Sequence, residues 1–185
     1  MKRNNKSGFT LVELMVVVGI IGILIALVAP NLTSFTAKAK QSSAKVELSG
    51  LYTAEKAFQA EYSSYHGNLP YIGHVPDGCS TASSACNAAS KRPYSVGFSA
   101  VGVNADLVAG VTTAITGTAV FHFANSVGAA QSIPGTVSLG GTANRTTTTT
   151  QNTFVAAAQG LISLTTADVW AIDHNKILSN TSKGY

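Results

Sequence analysis

Hydropathy changes character twice along the chain. From Phe9 to Ala29 run 21 residues in which Glu13 is the only charge. At ~1.5 Å rise per residue, such a helix is about 30 Å long, the thickness of a bilayer's hydrocarbon core, so the pattern predicts one membrane crossing. From Asn31 to Tyr65 the pattern turns amphipathic. Phe35, Ala39, Val46, Leu51, Ala54, Phe58, Tyr62 and Tyr65 recur at spacings near three and four, with Lys38, Lys45, Glu47, Glu55 and Glu61 off that stripe. Together these segments predict one long helix that packs its second half on a folded domain and stops between Gly67 and Pro70, where turn formers cluster. Pro30 removes a hydrogen bond within it, so a kink or local break is expected there. Gly19 and Gly22 allow close helix packing just before it.

Past the helix, four strand candidates stand out: Tyr94 to Val103, Ala119 to Asn125, Thr153 to Leu164, and Val169 to Leu178. The first alternates Tyr94, Val96, Phe98 and Ala100, and the last carries a hairpin signal in Asp173-His174-Asn175. Between Asn104 and Gln151 the chain is rich in Gly, Ala, Ser and Thr and culminates in the run Thr146 to Thr150. That composition favours exposed loops, open to glycosylation on Ser or Thr. The stretch after the helix is long enough for one small core and too short for two domains. The fold class is therefore α+β, a long N-terminal helix with a C-terminal antiparallel sheet of about four strands.

Charge changes the picture at the N-terminus. Lys2, Arg3 and Lys6 precede the apolar run, and a short basic segment there is held on the cytoplasmic side. A carboxylate at the centre of a bilayer-spanning helix is disfavoured by roughly 2.5 to 3.5 kcal/mol on insertion scales, so Glu13 calls for a partner. A secretory signal would instead be cut after the apolar core, where Ala26 and Ala29 imitate a cleavage site. Against that reading, Pro30, Asn31 and the helix-compatible sequence beyond suggest that the apolar segment is retained.

The residues Lys6-Ser7-Gly8-Phe9-Thr10-Leu11-Val12-Glu13, followed by an apolar helix, resemble the class III signal of type IV pilins and type II secretion pseudopilins. Leu51 to Tyr65 looks like the corresponding part of many pilins, and Asp168 to Asn180 resembles the final strands of major pilins from gliding and predatory bacteria. The resemblance implies a leader, residues 1–8, removed by a prepilin peptidase between Gly8 and Phe9, with N-methylation of Phe9. It implies a membrane and filament-core helix over 9–30, an amphipathic helix half over 31–66, and a head domain over 67–185. The new amine at Phe9 lies one helical turn from Glu13, so the two charges can meet within or between subunits, and a buried pair of this kind sets register. Glu13 and Pro30 then read as assembly residues, with extensible backbone expected between about Gly22 and Pro30.

The implied function is a structural subunit of a type IV pilus, held in the inner membrane and then assembled into an extracellular filament for motility or adhesion. The implied partners are further copies of the chain, the prepilin peptidase, an inner-membrane assembly platform with ATPase motors, a secretin and minor pilins. Alternatives are a type II secretion pseudopilin, a minor or DNA-uptake pilin, and a membrane-tethered binding module. Export leads us to expect a disulfide between Cys79 and Cys86, closing a short loop and contributing roughly 2 to 3 kcal/mol. This departs from pilins whose disulfide bounds a C-terminal loop.

Net charge is +4, with 12 Lys and Arg against 8 Asp and Glu. Three of the cations lie in the leader, so loss of 1–8 leaves 9 against 8, a nearly neutral chain without a dense basic patch. Nucleic acid is accordingly not an expected partner. No nucleophile elbow, phosphate loop or metal-ligand spacing is present, so neither catalysis nor a cofactor is expected. Cys79 and Cys86 lack a second ligand pair, His66 and His74 have no recognised spacing, and Asp168 and Asp173 flank Trp170 without a loop of oxygen ligands. His122, between Phe121 and Phe123, reads as a strand residue.

Overall fold

The computed structural model describes residues 8–76, 78–79, 92–99, 122–123, 134, 136–139, 142–146, 149–150, 152–162 and 167–184. The chain divides into two compact units, Met1–Lys38 and Ala39–Tyr185.

Helix α1 covers Leu11–Tyr62 without interruption, so the helix is not broken at Pro30. It ends several residues before the expected Gly67. Ser63 adopts the left-handed conformation (φ 56°) and its N–H still bonds to the carbonyl of Gln59 at 2.8 Å, a C-terminal stop that a non-glycine rarely supplies. The chain then makes a short turn over residues 69–73, tied by the amides of Tyr71 and Ile72 to the Asn68 carbonyl and by that of His74 to the Leu69 carbonyl.

Among the described residues seven strands follow: β1 (Ser95–Gly97), β2 (His122–Phe123), β3 (Thr136–Leu139), β4 (Thr142–Thr146), β5 (Val155–Leu161), β6 (Ala167–Asp173) and β7 (Leu178–Ser182). β1, β2 and β5–β7 form one antiparallel sheet in the order β2-β1-β5-β6-β7. The α+β class and the antiparallel C-terminal sheet therefore hold. The expected strand from Val169 to Leu178 proves to be two, β6 and the start of β7, joined at the Asp173-His174-Asn175 turn that carried the hairpin signal. Much of the first two expected strands lies outside the described residues.

The second unit buries apolar side chains on both faces of this sheet. Alternate residues of β5 face opposite ways. Ala156 and Ala158 join Ala44, Leu48, Leu51 and Phe58 of α1, together with Tyr94, Val96, Phe98, Phe154 and Ile172. Val155 and Ala157 join Val137, Leu139, Val169 and Ala171 in a second cluster. A strand buried on both sides reads as an unbroken apolar run, which explains Val155-Ala156-Ala157-Ala158. The second cluster requires β3, and β3 pairs antiparallel with β4. Part of the Thr-rich stretch expected to be loop is thus a two-stranded ribbon, because Val137 and Leu139 supply a period-two apolar edge.

The buried stripe of α1 in this unit is Gln41, Ala44, Leu48, Leu51, Glu55 and Phe58, at spacings of three and four. It differs from the expected stripe. Phe35 and Val46 are exposed, whereas Glu55, placed off the stripe, is fully buried. At the other edge of the core, Gly160 is demanded by close approach: a Cβ there would lie 2.4 Å from the Pro93 carbonyl oxygen.

Candidate functional site

Gly8, Phe9 and Thr10 precede α1 in non-helical backbone. Thr10 is the N-cap. Its hydroxyl accepts from the Glu13 amide at 3.3 Å, while one Glu13 carboxylate oxygen accepts from the Thr10 amide at 2.9 Å and from the Thr10 hydroxyl at 2.8 Å. This reciprocal arrangement is a capping box, with the negative charge at the positive end of the helix dipole. Glu13 therefore has local donors before any second charge approaches. The acid is placed by the same four residues that begin the helix.

Upstream of the cap, Phe9 is 83% exposed. A Cβ at Gly8 would meet nothing within 4 Å, and Gly8 does not have the positive φ that favours glycine. The fold of this chain makes no demand for glycine there. A molecule that reads the backbone on either side of the Gly8–Phe9 bond would make one, since glycine lets another chain approach closely.

Downstream of the cap, every residue from Leu11 to Val28 is exposed, Val12, Val16, Ile20, Ile23 and Leu27 among them. This segment is the one candidate membrane span among the described residues. Monomeric soluble proteins rarely carry a contiguous apolar surface of this extent. A Cβ at Gly19 or Gly22 would also meet nothing within 4 Å, so these positions are open to a neighbouring helix.

The other expected site residues have different standings. α1 continues through Pro30. Cys79 is disulfide-bonded, and Cys86 lies outside the described residues. His66 is buried and accepts from the Asn68 amide at 3.1 Å through Nδ1. Burial, with a smaller contribution from the Arg92 charge, pushes the His74 imidazole down to about 4. Among the described residues, no group of three or more His, Cys, Asp or Glu is placed to hold a metal.

Two buried acids went unrecognised as structural centres. Asp168 is fully buried and accepts from Gln41 Nε2 at 3.0 Å, Tyr94 OH at 2.5 Å, Trp170 Nε1 at 2.8 Å, Asn180 Nδ2 at 3.0 Å and the Gly184 amide at 3.3 Å. Burial, then this hydrogen bond, raises the Tyr94 hydroxyl far above its ordinary range. Glu55 accepts from the His66 amide at 3.2 Å, its other oxygen has no hydrogen-bond partner, and burial raises its pKa to about 8. The spacing of Gln41, Leu48 and Glu55 at sevens is the one sequence signal that could have placed both polar residues on the buried stripe.

Residues 3–29 match the family described as "Prokaryotic N-terminal methylation motif". Over 70 residues the chain is 51% identical to the type IV major pilin protein PilA of Myxococcus xanthus, a stretch covering 38% of this chain and 32% of that protein. Over 65 residues, 35% of this chain, it is 42% identical to type II secretion system core protein G of Pseudomonas aeruginosa, covering 46% of that protein. It is 40% identical over 65 residues to the type IV major pilin protein PilE1 of Neisseria gonorrhoeae, 35% of this chain and 37% of that protein. The chain bears the prokaryotic N-terminal methylation motif and is homologous in its N-terminal region to type IV major pilins. The aligned stretch spans about a third to under a half of the length of these relatives.

Proposed function

We propose that the protein is a pilin, a structural filament subunit that polymerises through its N-terminal helix into a type IV pilus. The observation that carries this reading is the wholly exposed apolar face from Leu11 to Val28, begun by the Thr10–Glu13 capping box and preceded by the exposed Gly8–Phe9 bond. Such a surface is stable in a bilayer or against copies of itself, and at ~25 cal/mol per Å² its burial dominates filament stability. The precursor is anchored in the inner membrane with its N-terminus cytoplasmic. Prepilin peptidase removes 1–8, and the Phe9 amine is methylated.

Glu13 receives the Phe9 amine of a neighbouring subunit while keeping its bonds to Thr10, so pairing adds a charged partner to a carboxylate that is already oriented. Pro30 weakens the helix beyond the apolar core, and a Cys79–Cys86 bridge closes the loop ahead of the sheet. Domain limits at 8, 30 and 66 follow from this division of labour. The assembly platform with its ATPase motors, the secretin and minor pilins complete the system, and the filament works at the cell surface in adhesion or motility. The reading assigns the chain no catalytic role.

Shearing cells and analysing the supernatant tests this. Fibres composed mainly of this chain and beginning at N-methylated Phe9 are expected. An intact leader, or cleavage after Ala29, would overturn the processing step, and protein retained in the inner membrane while the filament machinery is active would overturn the filament role. A second reading, a type II secretion pseudopilin, is favoured by the similarity to core protein G. It predicts fibres only when the secretion system, rather than the pilus system, is active.

A further inference from the structure

The last turn of α1 concentrates negative charge in a domain that otherwise hides it. In the second unit Glu55, Asp168 and Asp173 are fully buried, and Glu47 is turned to Arg92 at 3.3 Å. Among the described residues of this unit, Glu61 is the one exposed acid, whereas Lys40, Lys45, Lys176 and Lys183 are exposed. Glu61 stands one residue before the end of the helix, where unpaired carbonyls already carry partial negative charge. The last turn contains no basic residue to offset it. The acid therefore adds to the negative end of the helix dipole, the arrangement that a cation relieves.

Beside this acid lies a cavity of about 300 Å³, lined by Phe58, Glu61 and Tyr62 of α1 and by Tyr71, Ile72 and Gly73 of the turn that follows. Its aromatic wall is fixed. The Phe58 and Tyr62 rings stack with centroids 4.5 Å apart, Tyr71 meets Phe58 at 5.6 Å and an interplanar angle of 61°, and His66 backs Tyr71 at 4.9 Å. Gly73 takes a left-handed φ of 77° and its amide bonds to the Pro70 carbonyl at 3.1 Å, closing the turn that returns Tyr71 to the helix. Phe58 and Ile72 are buried, whereas Tyr62 and Tyr71 are 38% and 39% exposed, so the rings open to solvent. The Glu61 charge, then the hydrogen bond between the two side chains, raises the Tyr62 phenol above its ordinary range, which places the carboxylate at the edge of the rings. Other rings of the domain carry cations of the chain itself: Lys45 Nζ is 4.4 Å from the Trp170 centroid, and Lys56 Nζ is 5.8 Å from that of Tyr52 and 5.1 Å from that of Tyr65. Among the described residues, no cation of the chain stands over Phe58, Tyr62 or Tyr71.

We propose that Phe58, Tyr62 and Tyr71, together with Glu61, form a binding site for an N-methylated ammonium group of the quaternary kind that choline carries. Aromatic faces attract a cation through the ring quadrupole, and the carboxylate and the negative helix end add Coulombic attraction. A neutral sugar could stack on the same rings but would gain nothing from that charge. A primary ammonium is strongly hydrated and would meet the carboxylate in water. Methyl groups on nitrogen instead favour the apolar surface of Phe58 and Ile72. A divalent metal ion is poorly matched, because among the described residues no group of three or more His, Cys, Asp or Glu is gathered here. The site belongs to the second unit and does not rest on the filament reading.

The test uses the full chain in maltoside micelles, which carry no choline headgroup, with choline as the probe and saturation-transfer NMR on its N-methyl protons. The matched control is the neutral alcohol in which a tert-butyl group replaces trimethylammonium. Choline should bind about threefold to thirtyfold more tightly than the alcohol. Glu61→Gln, at an exposed position, should lower choline affinity about threefold or more and leave the alcohol unaffected. Tyr62→Leu with Tyr71→Leu should weaken choline further, with circular dichroism and thermal midpoint reporting that the fold persists. Asn175→Lys, the same change in net charge on the β6–β7 hairpin, should preserve binding. Equal affinity for choline and the alcohol would reduce the site to an apolar cleft and overturn the proposal. Equal loss from Glu61→Gln and Asn175→Lys would reduce it to net charge and do the same. Displacement of choline by an uncharged N-acetylated disaccharide at comparable concentration would assign the rings to sugar instead. Competition by phosphatidylcholine vesicles would support a lipid as the source of the group, and choline binding indifferent to them a soluble one.

Discussion

The apolar segment at the start of α1 and the sheet domain invert each other's polarity. From Leu11 to Val28 apolar side chains face outward around an acid held by a capping box. In the second unit Glu55, Asp168 and Asp173 face inward, beneath a surface of lysines. The domain surrounds its buried Asp168 with its own donors. Among the described residues the apolar surface of the N-terminal segment is left exposed. Substitutions in the domain should therefore be read out as stability, and substitutions in the segment as assembly.

The largest expected effect lies in the domain. Asp168→Ala strands five donors, among them the fully buried Tyr94, and an unsatisfied buried group costs about 1 to 3 kcal/mol. A loss of at least about 3 kcal/mol in urea unfolding is expected, and Asp168→Asn, which retains one acceptor oxygen, should cost less. Leu14→Ala or Ile20→Ala, by contrast, should leave the unfolding midpoint of the domain unchanged while lowering fibre yield. Equal destabilisation from both sets would erase the contrast.

Acidity provides the next test. The Glu55 carboxyl has a folded pKa of about 8 against an ordinary 4.5, so the folded state binds its proton more tightly. Its contribution is full below 4.5 and is lost as pH rises toward 8, at about 1.4 kcal/mol per pH unit. His74 runs the other way, with a folded pKa near 4 against 6.5, and its contribution is lost as pH falls from 6.5 to 4. Between 4.5 and 6.5 the two trends offset each other. Urea midpoints should form a plateau there and decline from 6.5 to 8, and Glu55→Gln should abolish the alkaline decline. A midpoint rising with pH in the wild-type protein would contradict the burial of this carboxyl.

The smallest expected change in stability, with a large one in function, is at the cap. Glu13→Ala should weaken the first turn by removing half of the capping box and leave both domain stability and membrane insertion intact, while fibres in sheared supernatants fall sharply. Normal fibre levels from cells lacking the wild-type chain would remove Glu13 from assembly. Glu13→Gln sharpens the comparison, since it can keep a capping-box acceptor and lose only the charge.

The N-terminal segment was readable because its signals are local: a basic cluster, a Gly-Phe junction, an acid three residues after Thr10 and an unbroken apolar run. The stripe on the second half of α1 was misplaced because side-chain type was a poor guide to depth there. Phe35 and Val46 drew the stripe toward the surface. Gln41 and Glu55 lie on the buried side because their partners, Asp168 and the His66 amide, come from elsewhere in the chain, 127 residues away in the case of Gln41. The β3–β4 ribbon was concealed for a related reason, since two apolar residues among many Thr and Gly make a strand only against the far face of β5 and β6. The hairpin at Asp173 was visible because its turn chemistry is contained in five consecutive residues.

Tension entering a subunit through α1 would reach the sheet by way of Gln41, whose amide ends on the same carboxyl as Tyr94, Trp170, Asn180 and the Gly184 backbone. Helix, sheet and the chain's last described residue are thus knotted at a single side chain of β6. Pulling on any one of them loads the others, so the domain should yield to force as one unit rather than unravel strand by strand from the β7 edge.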